Sequence, residues 1–187
     1  MANLYEVDWS TIPAPKDDGG ADHLKGMSLP SVSLGSTGGG TVDLATLSGL
    51  TIVYIYPKTG QPGTDMPDGW DMIPGARGCT PQTCSFRDHM AELTQLGVDQ
   101  LYGLSSQDTA YQAELKERSH LPFDILSDHA FTLTDALGLP TFEAAGERLI
   151  KRMSLAIRDA VIVDVIYPIF PPDQNAGLVI DWLKSAS

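Results

Sequence analysis

The chain has 187 residues, 42% of them hydrophobic and 19% charged, with a formal net charge of -12. That length suits one domain able to bury a core without metal or disulfide staples, and the composition is that of an ordinary globular protein. The acidic balance excludes a general nucleic-acid binder, since phosphate recognition needs a basic face, and no stretch approaches the ~20 apolar residues of a membrane span.

Residues 1–25 are polar and interrupted by proline and glycine, as in Pro13-Ala14-Pro15-Lys16-Asp17-Asp18-Gly19-Gly20. They read as an arm that packs loosely or docks onto a neighbour, or as a mobile tail. The first fifteen lack a basic start and an apolar run of signal-peptide length, so the expected location is cytoplasmic, where cysteines are normally reduced. Residues 31–34 and 41–42 are predicted strands around a glycine-rich turn at 35–40, with one helical turn at 43–47. The Gly38-Gly39-Gly40 run is not a phosphate loop, because no Gly-Lys-Ser/Thr follows it.

Residues 51–56 are a continuous β-branched and aromatic run, which predicts a central strand covered on both faces and ended by Pro57. Residues 61–76 are rich in Pro, Gly and Asp, with Met66, Trp70 and Met72 among them. So long a loop inside a compact domain is often functional; a lid, an oligomer contact and an inert insertion are the open readings. The spacing of Asp65, Asp68 and Asp71 does not fit a calcium loop, and they read as solvated.

A helix is predicted over 80–96, then a strand at 100–104, a helix at 108–118 capped by Asp108, and a strand at 123–126. Asp128 or Thr132 caps the next helix, which ends at Gly138-Leu139-Pro140. This alternation implies a mainly parallel sheet covered by helices. Residues 149–157 are predicted to pair with 161–167 through Arg158-Asp159-Ala160, which makes part of the sheet antiparallel. Pro171-Pro172 breaks the chain, and a last helix runs from Asp173 to about Lys184.

The only two cysteines, Cys79 and Cys84, open the helix predicted over 80–96. A thiol nucleophile must be a thiolate, and a helix N-terminus or a nearby cation favours that form. Gly78 permits a tight entry, Thr80 can cap and Pro81 suits the first helical position, so the helix starts beside Cys79, with Arg77 close in sequence. Thr83, Phe86, Met90 and Leu93 then form one apolar stripe that Cys79 extends, while Cys84 falls on another face with Arg87, Asp88 and Ala91. Residues five apart in a helix have Cα atoms roughly 8.7 Å apart, whereas a disulfide needs about 4.4 to 6.8 Å. A bond between the two sulfurs thus requires the first turn to unwind. That geometry suggests a cycle in which Cys79 becomes a sulfenic acid and Cys84 condenses with it.

The run Gly78-Cys79-Thr80-Pro81-Gln82-Thr83-Cys84-Ser85-Phe86-Arg87-Asp88 resembles the Gly-Cys-Thr-x-x-x-Cys-x-Phe-Arg-Asp signature of the bacterioferritin comigratory protein, or PrxQ, branch of the peroxiredoxins. Residues 50–58 are similar to that family's first core strand with its Tyr-Pro-Lys end, and Arg152-Met153-Ser154-Leu155-Ala156-Ile157 to its Arg-x-Thr-Phe-x-Ile strand. The resemblance runs from about residue 26 to the C-terminus. It implies an α/β thioredoxin-like fold with a mixed central sheet flanked by helices and an N-terminal β-hairpin, and a domain at 26–187 carrying an insertion at 61–76. It also implies a thiol peroxidase with Cys79 peroxidatic, Cys84 resolving and Arg152 activating. The implied partners are a hydroperoxide substrate and a thioredoxin-type dithiol donor, with no metal, haem or nucleotide cofactor, in a monomer or homodimer.

Two positions depart from the family pattern. Where peroxiredoxins carry Pro-x-x-x-Thr/Ser-x-x-Cys, this chain has Met72 and Ala76, so the local hydroxyl is missing. Pro57 and Thr59, across the insertion, are the candidates to take those places beside Gly78 in binding substrate. Within the strand, Arg152, Ser154 and Ala156 share one face, whose small residues suggest close approach by another element. Arg87, next to Asp88, leans to a structural ion pair. The alternatives left open are a thioredoxin-like disulfide exchanger, which the Cys-x4-Cys spacing fits less well, and a redox-regulated binding or chaperone module, which the missing hydroxyl favours.

Overall fold

A computed structural model describes residues 7–187; the first six residues of the expected arm lie outside the described residues. In chain order the strands are β1 (Leu34–Ser36), β2 (Thr41–Val42), β3 (Leu50–Ile55), β4 (Gln100–Ser105), β5 (Asp124–Ser127), β6 (Thr141–Ala144), β7 (Glu147–Ile150), β8 (Met153–Arg158) and β9 (Val161–Ile166). The helices are α1 (Cys79–Asp88), α2 (Met90–Gln95), α3 (Thr109–Ser119), α4 (Thr132–Leu137) and α5 (Asn175–Ser185). The main sheet has the order β2-β1-β5-β4-β3-β8-β9. β3, β4 and β5 run parallel, while β1 on β5, β8 on β3 and β9 on β8 are antiparallel.

β3 is buried along its whole length, as its β-branched and aromatic run predicts. Alternation sends Ile52 and Tyr54 into a core shared with Phe86 of α1, Leu93 of α2, Leu115 of α3 and Val179 and Leu183 of α5. Val53 and Ile55 face the opposite core, with Leu133 and Leu137 of α4 and with Leu24 and Leu29, which lead into the sheet. The sheet is thus covered on both faces. Asp108 caps α3 by accepting from the Tyr111 N–H at 2.8 Å. Asp128 serves α4 from outside its cap position, accepting from the backbone N–H groups of Leu133 and Thr134 and from the Thr134 hydroxyl.

Several local expectations need correction. The helix predicted over 80–96 is two helices, broken at His89 (φ -104, ψ 8), whose Nδ1 lies 2.7 Å from the Ser85 carbonyl. It also starts earlier: Gly78, at φ 105, is the cap, Cys79 the first helical residue and Pro81 the third. Only glycine takes that backbone angle without strain, and Pro81 costs nothing there because first-turn N–H groups have no intrahelical acceptor. The strand expected at 31–34 is shifted to Leu34–Ser36, where Gly35 pairs with Thr41 and Ser127. The region 149–157 is not one strand. Its first part belongs to a separate hairpin, β6 with β7, turned at Ala145 and Gly146 with positive φ, and only Met153–Arg158 joins the main sheet. A 3-10 turn at Pro172–Gln174 delays the last helix to Asn175.

Candidate active site

Four elements converge on the first turn of α1. Gly78 sets the chain's entry, the Gln82 N–H closes the turn onto the Gly78 carbonyl at 3.0 Å, and Cys79 points inward, 3% exposed. Arg152, the residue before β8, is equally buried. Its Nη2 lies 3.3 Å from the Cys79 sulfur and also reaches the carbonyls of Gly75, Ala76 and Arg77 at 3.2, 3.0 and 3.1 Å. Three inward-turned carbonyls therefore hold one end of the guanidinium against the sulfur. The thiol itself faces the Ala76 carbonyl at 3.6 Å.

The other end is held by Gln82, whose side-chain oxygen accepts from Arg152 Nη1. Gln82 Nε2 in turn donates to Asn175 Oδ1 at 2.8 Å, and the Ser154 hydroxyl donates to the same oxygen at 3.0 Å. Gln82 and Asn175 are fully buried. Burying an amide in an apolar core is unfavourable unless it is paired; Gln82 is paired through both its side-chain nitrogen and oxygen, and that pairing positions the arginine, whereas Asn175 Nδ2 has no hydrogen-bond partner among the described residues. The sequence reading missed Gln82 and Asn175. Gln82 lies three residues after Cys79 and four before Phe86, so a polar residue on the inward stripe was the available signal. The close approach inferred for the face of Arg152, Ser154 and Ala156 is made by α1 and α5.

Cys79 opens on a cavity of about 470 Å³. Thr59, Gly60, Met66, Trp70, Thr80 and Pro81 are among its walls, and Lys58, Arg77 and Arg118 stand at its polar side. All three cations are paired: Lys58 with Glu147, Arg77 with Asp71 at 2.7 Å, and Arg118 with Glu114 at 2.8 Å. Asp71 is thus not merely solvated, and the Arg77 side chain turns toward the insertion while its carbonyl serves Arg152. Thr59 lines the cavity, but its hydroxyl donates to Gln107 Oε1 at 3.1 Å. Pro57 is buried at the end of the fully buried strand run and is not among the wall residues.

The insertion at 61–76 contributes Trp70, which sits against Phe142 of β6 at 6.4 Å between ring centroids, and Met66, Ile73 and Ala76, which pack with Ala144 and Leu149. The separate hairpin is the platform that holds this wall. Met72, by contrast, is 65% exposed.

Cys84 is also a free thiol and is buried, although its helical position points it away from the main stripe. The end of α3 covers it: Arg87 Nη1 donates to the Ser119 carbonyl at 2.9 Å, and Arg87 Nε to Asp88 at 2.8 Å. Burial raises the Cys84 thiol pKa; Arg87 opposes that rise and Asp88 adds to it. Cys79 and Cys84 belong to the same unbroken helix, so they cannot bond without its first turn opening.

A mixed sheet covered by helices, with a buried thiol at a helix N-terminus under an arginine, defines a thioredoxin-like thiol redox protein. The Redoxin family model matches residues 24–180. Peroxiredoxin Bcp of Escherichia coli strain K12 is 29% identical over 159 residues, covering 83% of this chain and 92% of that protein. The chloroplastic peroxiredoxin Q of Oryza sativa subsp. japonica is 26% identical over 162 residues, 86% of this chain and 67% of that protein. In fold, the crystal structure of peroxidoxin BcpB from Mycobacterium tuberculosis superposes with a TM-score of 0.69 at 23% identity, over 88% of this chain and 98% of the other. The chain belongs to the Redoxin family and, within it, to the PrxQ/Bcp branch of the peroxiredoxins, which places it among thiol peroxidases.

Proposed function

We propose that this chain reduces hydrogen peroxide and organic hydroperoxides with Cys79 as the attacking sulfur, Arg152 as its activating partner and Cys84 as the resolving thiol. The observation that carries this is the 3.3 Å approach of Arg152 Nη2 to a buried Cys79 Sγ that opens on a cavity. The Cys79 thiolate attacks the near oxygen of ROOH. The O–O bond breaks, the departing alkoxide takes a proton and leaves as ROH, and Cys79 becomes a sulfenic acid. Charge builds on both oxygens in that step, and a preorganised guanidinium in a water-poor site stabilises it by charge-assisted hydrogen bonding.

The first turn of α1 then opens. The Cys84 sulfur displaces the sulfenic oxygen as water and forms the Cys79–Cys84 disulfide, which a thioredoxin-type dithiol reduces by exchange. Gly78 and Thr59 border the space where the peroxide sits, and Thr59, although its hydroxyl donates to Gln107, still offers an acceptor lone pair there. In this reading residues 26–187 carry the reaction, residues 1–25 are an arm, and a reducing compartment such as the cytoplasm suits the paired thiols. Among the described residues no helix is long and apolar enough to cross a membrane.

The test is an acid-quenched time course of intact mass and free thiols after one equivalent of hydrogen peroxide. Expected are loss of both thiols within one chain, a single oxygen adduct or an intermolecular disulfide in Cys84→Ser, and no fast reaction in Cys79→Ser. Retention of both thiols in the unsubstituted chain would overturn the assignment and turn attention to the redox-switch reading that the missing hydroxyl at Ala76 favours.

A further inference from the structure

Trp9 and Pro15, which precede the matched Redoxin region, lie against the cysteine loop. A 3-10 turn at Trp9–Thr11, capped by Asp8, brings the Trp9 ring against Phe170, with ring centroids 6.1 Å apart and the planes at 79°. The same ring closes on Gly78. A Cβ added there would stand 2.7 Å from Trp9 Cη2 and 2.6 Å from Pro172 Cγ. Further along, Pro15 is 3.4 Å from the place a Cβ on Gly75 would take. The far end is tied by Asp18, which accepts from Lys151 Nζ at 2.6 Å and from the Tyr167 hydroxyl at 2.7 Å. Arg152 holds residues 75–77 through their carbonyls, while Pro15 and Trp9 close on Gly75 and Gly78 at the two ends of the same stretch.

We infer that Trp9 is a positioning residue for this reaction: by clasping Gly78 against Pro172 it holds the first turn of α1 closed and sets the rate at which Cys84 can reach the oxidised Cys79. The inference rests on the Cys79–Cys84 cycle proposed above. A closed turn keeps the arginine on the sulfur and the site reactive to peroxide, while disulfide formation has to move Gly78 and hence slide it from under the indole. The clasp therefore divides the Cys79 sulfenic acid between two fates. It condenses with the Cys84 thiol, releasing water, or it meets a second hydroperoxide, which oxidises it to the sulfinic acid and leaves as ROH. Tightening the clasp favours the second fate and loosening it the first.

The experiment uses the full chain, reduced, as the unsubstituted protein, Trp9→Phe, Trp9→Ala and Asp18→Asn, mixed rapidly with hydrogen peroxide and quenched with acid for intact mass. With Trp9→Ala, disulfide formation is expected to be about fivefold to tenfold faster, the loss of about 1 kcal/mol or slightly more of contact at the turn. The sulfinic fraction at high peroxide should fall in step, with first-step oxidation within about twofold of the unsubstituted chain. Trp9→Phe should fall between, and Asp18→Asn, which frees the other end, should move the same way. Trp9 emission should change with the disulfide step and not with sulfenic acid formation, a component absent from Trp9→Phe. Unchanged disulfide rate and sulfinic fraction in a folded Trp9→Ala would overturn the role of Trp9 while leaving the cycle intact. Absence of the disulfide in the unsubstituted chain would overturn both.

Discussion

Arg152 touches Cys79 with one nitrogen, 3.3 Å from the sulfur, and is anchored through another by the side-chain oxygen of Gln82. The contact and the anchor have separable consequences. Arg152→Lys replaces a planar fork by a point charge unable to reach sulfur, carbonyls and Gln82 together, and kcat/KM for hydrogen peroxide is expected to fall about 100-fold or more. Gln82→Leu keeps the guanidinium and removes its anchor, so the expected loss is nearer tenfold. Stopped-flow oxidation of reduced protein measures both; equal losses would mean that Gln82 acts on the sulfur by some other route.

The wall built by Trp70 predicts a change in selectivity. Trp70→Ala removes the largest apolar surface of the insertion from the cavity and from Phe142. Apolar pocket contacts discriminate by about 1–3 kcal/mol, so kcat/KM for cumene hydroperoxide should drop about tenfold while that for hydrogen peroxide moves by less than about threefold. Parallel rates with both peroxides are the measurement, and an equal drop would show that the wall positions Cys79 instead of the substrate.

Burial of Cys84 predicts a pH dependence of stability. Its thiol titrates above the ordinary value in the folded chain, which therefore favours the protonated form. The corresponding contribution is complete below the unfolded thiol value of about 8.5 and is lost as pH rises through the higher folded value. Under reducing conditions the urea midpoint should fall more steeply between pH 8 and 10, on the order of the thiol range, for the unsubstituted chain than for Cys84→Ser. Superimposable profiles would show that water reaches Cys84 in the folded state.

Asp128 is 2% exposed, and its carboxylate accepts from the N–H groups of Leu133 and Thr134 and the Thr134 hydroxyl. Asp128→Ala leaves these donors without an acceptor, and a destabilisation of about 3 kcal/mol is expected. Because α4 packs on the face of the sheet opposite Cys79, chemical denaturation should register the change and peroxide kinetics in buffer should not.

What could be read from residues alone was whatever local chemistry decides. The run at β3, the Asp108 cap and the cysteine signature each declare themselves within about ten residues, the reach of propensity and periodicity. Most of the failures are matters of distant contact; the break at His89, whose ring reaches the Ser85 carbonyl, is a local one. Nothing at His89, neither proline nor glycine, announces a break in the helix. The polar face shared with Arg87 and Asp88 gives no sign of Cys84's burial, because the cover over it comes from the end of α3 at Ser119. β6 and β7 pair only with each other, and their mixed polar strands carry little alternation. At the site, Cys79 and Arg152 were marked by motif, but Asn175 is brought to Gln82 from the far end of the chain, and Trp9 to Gly78 by a segment with no periodicity.

The β6–β7 hairpin stands apart from the seven-stranded sheet and carries the loop that walls the cavity. Lengthening or exchanging that loop would therefore disturb no register in the sheet on which the cysteine helix packs and into which the arginine leads. The architecture resembles an instrument with a fixed detector and a removable aperture: which peroxides are admitted can be redesigned by grafting residues 61–74 together with 141–150, keeping the Gly75, Ala76 and Arg77 carbonyls that hold Arg152 on the sulfur.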